Sequence, residues 1–231
     1  MMAGPAQCDG AVSGTGSLAL RLARIRGRLA DIVGDPDRVK VVAVTKGFGV
    51  DAVEAAMAAG LADLGENYAQ ELRAKAPNAP AGVRWHFLGS PQRNKVAGLA
   101  SLVSLWQGVD RSEVLSALAS RSPGAAVLIE VNLGREESKH GCAPADAPDL
   151  VRRGLDLGLD VRGLMTVAPR DRSMAKRCFG SLATLAGRLG LPELSMGMSD
   201  DFDLAAAEGA TMLRLGRALF GPRSGPMALR R

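Results

Sequence analysis

Eight short apolar runs recur along the chain, near residues 41–46, 62–65, 84–88, 101–105, 126–132, 161–166, 194–198 and 212–216, with helix-patterned segments between them. Strands separated by helices pair in parallel, because a parallel neighbour is reached only by a crossover long enough to hold a helix. Eight such units form either a doubly wound open sheet or a closed barrel, and two features favour closure. No GxGxxG or GxxxxGK[ST] element follows the first run, and polar residues stand at the C-terminal ends of several runs rather than one or two. The fold class expected is therefore α/β, a single (β/α)8 TIM-type barrel.

An extra N-terminal helix precedes it. In "SLALRLARIRGRLADI", Leu18, Leu22, Ile25, Leu29 and Ile32 fall at steps of four and three, which is one face of a helix. Among the later helices the clearest is "SMAKRCFGSLATLAGRLG", with Cys178, Phe179, Leu182, Leu185 and Leu189 on one side. No repeat or linker divides the chain, so residues 1–15 read as a flexible tail and 16–231 as one barrel domain.

Composition narrows the partners. The formal net charge of +5 would suit phosphates or nucleic acid, but aromatics are only 3% and no basic run exceeds Arg152-Arg153 or Arg230-Arg231, so neither nucleic acid nor membrane is expected. Cys8, Cys142 and Cys178 lack CxxC spacing, which argues against a disulfide framework or metal site and for buried or idle thiols. Arg21, Arg24, Arg26 and Arg28 interrupt the only candidate signal-peptide core, and no stretch of about 18 apolar residues exists, so the reducing cytoplasm is the expected compartment.

In a barrel the C-terminal strand ends converge on one mouth. Lys46 ends the first run. Glu66, Asn67 and Tyr68 follow the second, His86 and Ser90 flank the third, and Asn132 follows the fifth. "LSMGMSDD" supplies Ser195, Gly197 and Ser199, and "MLRLGRALFG" supplies Arg214, Gly216 and Arg217. An ammonium has no place in a β-branched core run. Lys46 therefore serves either in an ion pair with a carboxylate such as Glu66, or as a Schiff-base nucleophile toward an aldehyde. Only six of the 29 basic residues are lysines, which makes a lysine at this position less accidental.

The last two loops bear on that choice. Glycine-containing loops after late barrel strands, leading into helix starts, expose N–H groups that hold phosphate, although ordinary turns and helix caps have the same composition. A reactive lysine facing two such loops suggests a phosphorylated aldehyde such as pyridoxal phosphate. Of the other polar candidates, His86 reads as a packed, hydrogen-bonded histidine, His140 as exposed, and Lys139 as a solvated loop charge or a secondary amine.

"VAVTKG", "GENYAQE", "WHFLG" with "QRNK", "VNLGREESKHG", "RGLMT", "LSMGMSDDF" and "TMLRLGRALFG" occur in an order and spacing that resembles the YggS/PROSC family of pyridoxal-phosphate homeostasis proteins, from about residue 17 to 223. The resemblance implies a single barrel similar to the N-terminal domain of alanine racemase, with pyridoxal 5'-phosphate on Lys46. It further implies Asn67 beside the cofactor ring, Ser199 with the backbone of Gly216 and Arg217 on the phosphate, and Arg214 at the pyridine nitrogen. "TKGFG" stands where the family more often has "SKTKP", "GSPQRNK" where it has "GHLQSNK", and Arg217 where it has threonine.

The function expected is non-catalytic binding, with buffering or delivery of the cofactor by a monomer whose recipients are pyridoxal-phosphate-dependent apoenzymes. The alternative is an amino-acid racemase. That reaction needs proton carriers on both faces of the substrate; Lys46 serves one, and the chain has a single tyrosine, Tyr68, and ends soon after the eighth run. A third reading, a cofactor-free Schiff-base lyase, requires an acid–base partner beside the lysine.

Overall fold

The computed structural model describes residues 14–134, 136 and 139–222. Its strands are β1 (Lys40–Val44), β2 (Asp63–Glu66), β3 (Arg84–Phe87), β4 (Val103–Val109), β5 (Ala126–Glu130), β6 (Asp160–Met165), β7 (Glu193–Ser195) and β8 (Met212–Leu215). Each pairs in parallel with the next, and β1 pairs with β8 from Lys40–Met212 to Ala43–Leu215, which closes the barrel. Helix α1 (Gly14–Val33) precedes β1. After the successive strands come α2 (Val50–Ala58), α3 (Ala69–Lys75), α4 (Arg93–Val96), α5 (Ser112–Arg121), α6 (Ala147–Asp156), α7 (Arg172–Leu189), α8 (Phe202–Ala207) and α9 (Arg217–Phe220).

The pleat sorts each strand's side chains into two layers. Val41, Ala43, Trp106, Val127, Ile129, Leu213 and Leu215 belong to the large core between sheet and helices. Val42, Leu105, Ala126, Leu128, Met165 and Met212 form a second, smaller cluster inside the barrel. That inner layer is too small to fill the lumen, and buried His86, Gln107, Ser195 and Arg214 continue it as a polar layer.

Helix α1 buries Leu18, Leu22, Ile25 and Leu29. Its Arg21 donates to the carbonyl of Leu219 at 3.0 Å, and its Arg28 guanidinium lies 5.3 Å from the ring centre of Phe202, so α1 braces both α9 and α8. Ile32, which the spacing assigns to the apolar stripe, is 36% exposed in the final turn of the helix, while its neighbour Val33 packs against the core.

The strand boundaries differ from the apolar runs by one to four residues, with β5 ending at Glu130 and β7 at Ser195, and the differences at β4 and β1 bear on the site. The fourth apolar run covers 101–105, but β4 reaches Val109, because the polar Gln107 faces the lumen and is satisfied there by His86 and Ser195. The first apolar run extends to Lys46, but β1 ends at Val44, and Lys46 lies in the turn beyond it. Of the tail assigned to residues 1–15, Gly14 and Thr15 belong to α1, while residues 1–13, Cys8 among them, lie outside the described residues. Cys142 and Cys178 are buried free thiols, as expected, and burial pushes the Cys142 thiol up to about 12. Among the described residues no helix is long and apolar enough to cross a membrane, and no His/Cys/Asp/Glu group could hold a metal ion.

Candidate functional site

Lys46 occupies a β-turn closed by the Phe48 amide, which donates to the Thr45 carbonyl at 3.0 Å. Gly47, the third turn residue, has φ +74°, the left-handed conformation that a type II turn demands there and that glycine adopts without strain. The turn rests on a buried charge cluster. Lys75 Nζ donates to the same Thr45 carbonyl at 2.8 Å and to the carboxylates of Glu66 and Glu71, while Glu71 accepts from the Gly47 amide at 2.7 Å. Burial raises the Glu66 carboxyl above its usual range, with Lys75 and Thr45 opposing the shift. The carboxylate named from sequence as an ion partner for Lys46 thus has Lys75 and the Thr45 hydroxyl on one oxygen.

The loops after β7 and β8 meet beside this turn. Ser199 Oγ accepts from the Ala218 amide at 3.0 Å, which joins the "GMSDD" loop to the first turn of α9. A Cβ on Gly216 would lie 3.4 Å from the Val44 carbonyl oxygen, so the β8–α9 connection abuts the end of β1. Phe48 and Phe220 pack with ring centres 5.1 Å apart, linking the Lys46 turn to α9. Gly197, at φ +89°, has no room for a side chain, since a Cβ would sit 2.5 Å from the Cβ of Ala205. Arg217 points away from this junction onto Asp200, with its side chain 62% exposed.

Asn67 follows β2 on the same rim. A Cβ on Gly89 would meet the Asn67 carbonyl oxygen at 2.3 Å, and one on Gly108 would meet the Gly89 carbonyl oxygen at 2.3 Å. Backbones of three successive strand ends therefore stack in direct contact and fix where Asn67 stands.

Arg214 lies beneath the mouth, 5% exposed. It donates to Ser195 Oγ at 2.7 Å and to the Thr166 carbonyl at 2.8 Å. Ser195 donates to Gln107 Oε1 at 2.6 Å, Gln107 Nε2 lies 2.8 Å from His86 Nδ1, and His86 Nε2 lies 3.0 Å from Asp63. With the amide nitrogen facing Nδ1, Nε2 carries the proton that Asp63 accepts. Burial lowers the Arg214 guanidinium to about 10, countered by Glu130 and Asp201, so it stays charged at neutral pH. Burial raises the Glu130 carboxyl to about 7, Asp110 adds to the shift, and Arg214 opposes it.

Lys46, Asn67, Ser199, Arg214 and Gly216 thus stand at the C-terminal ends of four strands around one mouth, whereas the Arg217 side chain lies at its outer edge. His86 and Ser195 are buried relay members, as a packed histidine reading implies. Asn132 ties its own loop by donating to the carbonyls of Glu136 and Lys139. Ser90 accepts from Arg111 at 2.7 Å, and His140 is 71% exposed in its side chain. Lys139 differs from a solvated charge: it is partly buried and donates to Glu136 at 2.7 Å and to the Ala168 carbonyl at 3.0 Å. Glu130 and Lys75 were missed. Glu130 closes the otherwise apolar strand "AVLIE" much as Lys46 follows "VVAVT", and that parallel was the available signal.

The comparisons with known proteins agree with this arrangement. Residues 20–224 match the family model of the alanine racemase N-terminal domain. The pyridoxal phosphate homeostasis protein of Pseudomonas aeruginosa is 40% identical over 217 residues, 90% of this chain and 94% of the relative. That of Deinococcus radiodurans is 43% identical over 187 residues, 79% and 88% of the two chains. The solved structure of PipY from Synechococcus elongatus with PLP bound superposes with a TM-score of 0.76 at 33% identity, covering 88% of this chain and all of that one. With the barrel, the mouth and these relatives in agreement, the chain belongs to the pyridoxal phosphate homeostasis protein family, built on the alanine racemase N-terminal domain.

Proposed function

We propose that this protein binds pyridoxal 5'-phosphate reversibly through Lys46 and buffers or delivers it within the cytoplasm, without turning over amino acids. The observation that carries the reading is the meeting of the Lys46 turn with the Ser199 and Gly216 loops above a charged, buried Arg214. The donor set fits the group: an amine for an aldehyde, a hydroxyl and a glycine-bounded helix start for a phosphate, and a cation for a ring nitrogen. When bound, the group would supply an aldehyde, and Lys46 is the amine that would bond to it, giving up its two protons with the carbonyl oxygen as water. Ser199 and the backbone at Gly216 and Arg217 would hold the phosphate end, Asn67 would flank the ring, and the Arg217 guanidinium would add charge at the rim.

Arg214 argues against a broad catalytic repertoire, since a fixed cation at the ring nitrogen would disfavour protonation there and weaken the electron sink that transaminases exploit. Tyr68, the chain's single tyrosine, is 52% exposed rather than held as a second-face base. The names of the relatives, and PLP bound to one of them, support the same choice.

The test loads the protein and incubates it with single-enantiomer alanine and other amino acids, following optical activity and keto-acid formation, and separately with a cofactor-free apoenzyme. Turnover should stay below the usual enzymatic range of about 1–1000 per second. The apoenzyme should be activated faster than by free cofactor, with the donor eluting as a monomer. Turnover within that range would overturn the carrier reading.

A further inference from the structure

We propose that Lys75 and Glu71 are positioning residues for Lys46, a role that rests on the reading of Lys46 as the attachment point. They grip the two peptide groups that flank it. The Thr45 carbonyl belongs to the peptide entering Lys46, and it takes the Phe48 amide at 3.0 Å and Lys75 Nζ at 2.8 Å, which uses both its lone pairs. The Gly47 amide belongs to the peptide leaving Lys46, and it donates to Glu71 at 2.7 Å. Lys75 and Glu71 are themselves paired at 3.0 Å, one turn apart on α3, so a single ion pair clamps both sides of one residue.

The cluster is placed to hold geometry rather than to react. The Lys75 side chain is 7% exposed and shared among Thr45, Glu66 and Glu71, and its contacts to the Lys46 turn are to main chain. With both flanking peptides fixed, the Cα–Cβ direction of Lys46 is set before a ligand arrives, and the ordering cost of bringing a long amine into line is met during folding. A lysine on an untied turn would still bind the ligand's phosphate and ring through other residues, but would attach more slowly.

Three variants test this: Glu71→Ala removes the acceptor for the Gly47 amide, Glu71→Gln keeps a carbonyl acceptor without the charge, and Lys75→Gln removes the ammonium. Two quantities are measured for each: the rate of covalent attachment of pyridoxal phosphate at saturation, from stopped-flow absorbance, and the affinity for pyridoxine 5'-phosphate, which lacks the aldehyde. Glu71→Ala should slow attachment at least tenfold while leaving pyridoxine phosphate binding within twofold, and Glu71→Gln should restore most of the rate. Lys75→Gln should behave as Glu71→Ala does, and if it fails to fold, the two Glu71 variants carry the test. Unchanged attachment in Glu71→Ala, equal slowing in Glu71→Ala and Glu71→Gln, or parallel loss of both quantities would overturn the clamp. Covalent label persisting undiminished in Lys46→Ala would instead overturn the reading beneath it.

Discussion

Arg214 donates to Ser195 at 2.7 Å inside the barrel, and Ser195 passes the polarity on to Gln107 at 2.6 Å. Ser195 and Gln107 are fully buried and Arg214 is 5% exposed, so neither bond has ready water as a substitute. Ser195→Ala leaves a guanidinium N–H and an amide oxygen unpaired in the lumen. It should lower unfolding free energy by about 1–3 kcal/mol, read from urea denaturation with an unchanged slope. A loss below about 0.5 kcal/mol would mean that water or another group takes the place of the lost hydroxyl.

The raised Glu130 carboxyl gives a pH signature. Its folded value of about 7 exceeds the ordinary 4.5, so the folded protein holds a proton there that the unfolded chain has released. Below pH 4.5 both states are protonated and nothing is lost; as pH rises from 4.5 to 7, the buried carboxylate progressively costs stability. Glu130→Gln should match the ligand-free parent near pH 4.5 and exceed it at pH 8 by roughly 2–4 kcal/mol. An equal difference at both pH values would place the effect elsewhere.

The phosphate end divides into a strong and a weak contact. Ser199 sits at the loop junction against the Ala218 amide, whereas Arg217 is solvent-exposed and engaged by Asp200. Ser199→Ala should weaken pyridoxal phosphate relative to unphosphorylated pyridoxal by about 1.5–3 kcal/mol, roughly ten- to a hundredfold. Arg217→Ala should show the same selectivity but cost less than about 1 kcal/mol, because exposed charge contacts are screened. Titration by fluorescence checks both, and equal weakening of the two ligands in either variant would remove that residue from phosphate recognition.

What was legible in the sequence follows from where each signal sits. Apolar runs such as "VVAV" and the spaced leucines of α1 report burial, so strand order, barrel closure and the N-terminal helix could all be read. Lys46 stood out as a charge at the end of an apolar run, whereas the role of Arg214 came only from the family resemblance. Glu130 offered the same signal as Lys46 but is equally the mark of an ordinary strand terminus, and Gln107 lay beyond the apolar run, where only closure of the barrel turns it inward. Lys75 was hidden for another reason. It lies on a helix, where lysine is commonplace, and its role depends on α3 folding back beneath a turn 30 residues earlier.

The most direct test reduces the loaded protein with borohydride, digests it and maps the modified lysine by mass spectrometry. The reduced cofactor should map to Lys46, and Lys46→Ala should lose both the visible absorbance and the label. Label confined to other lysines, or a Lys46→Ala variant as yellow as the parent, would contradict the assignment on which the proposed function stands.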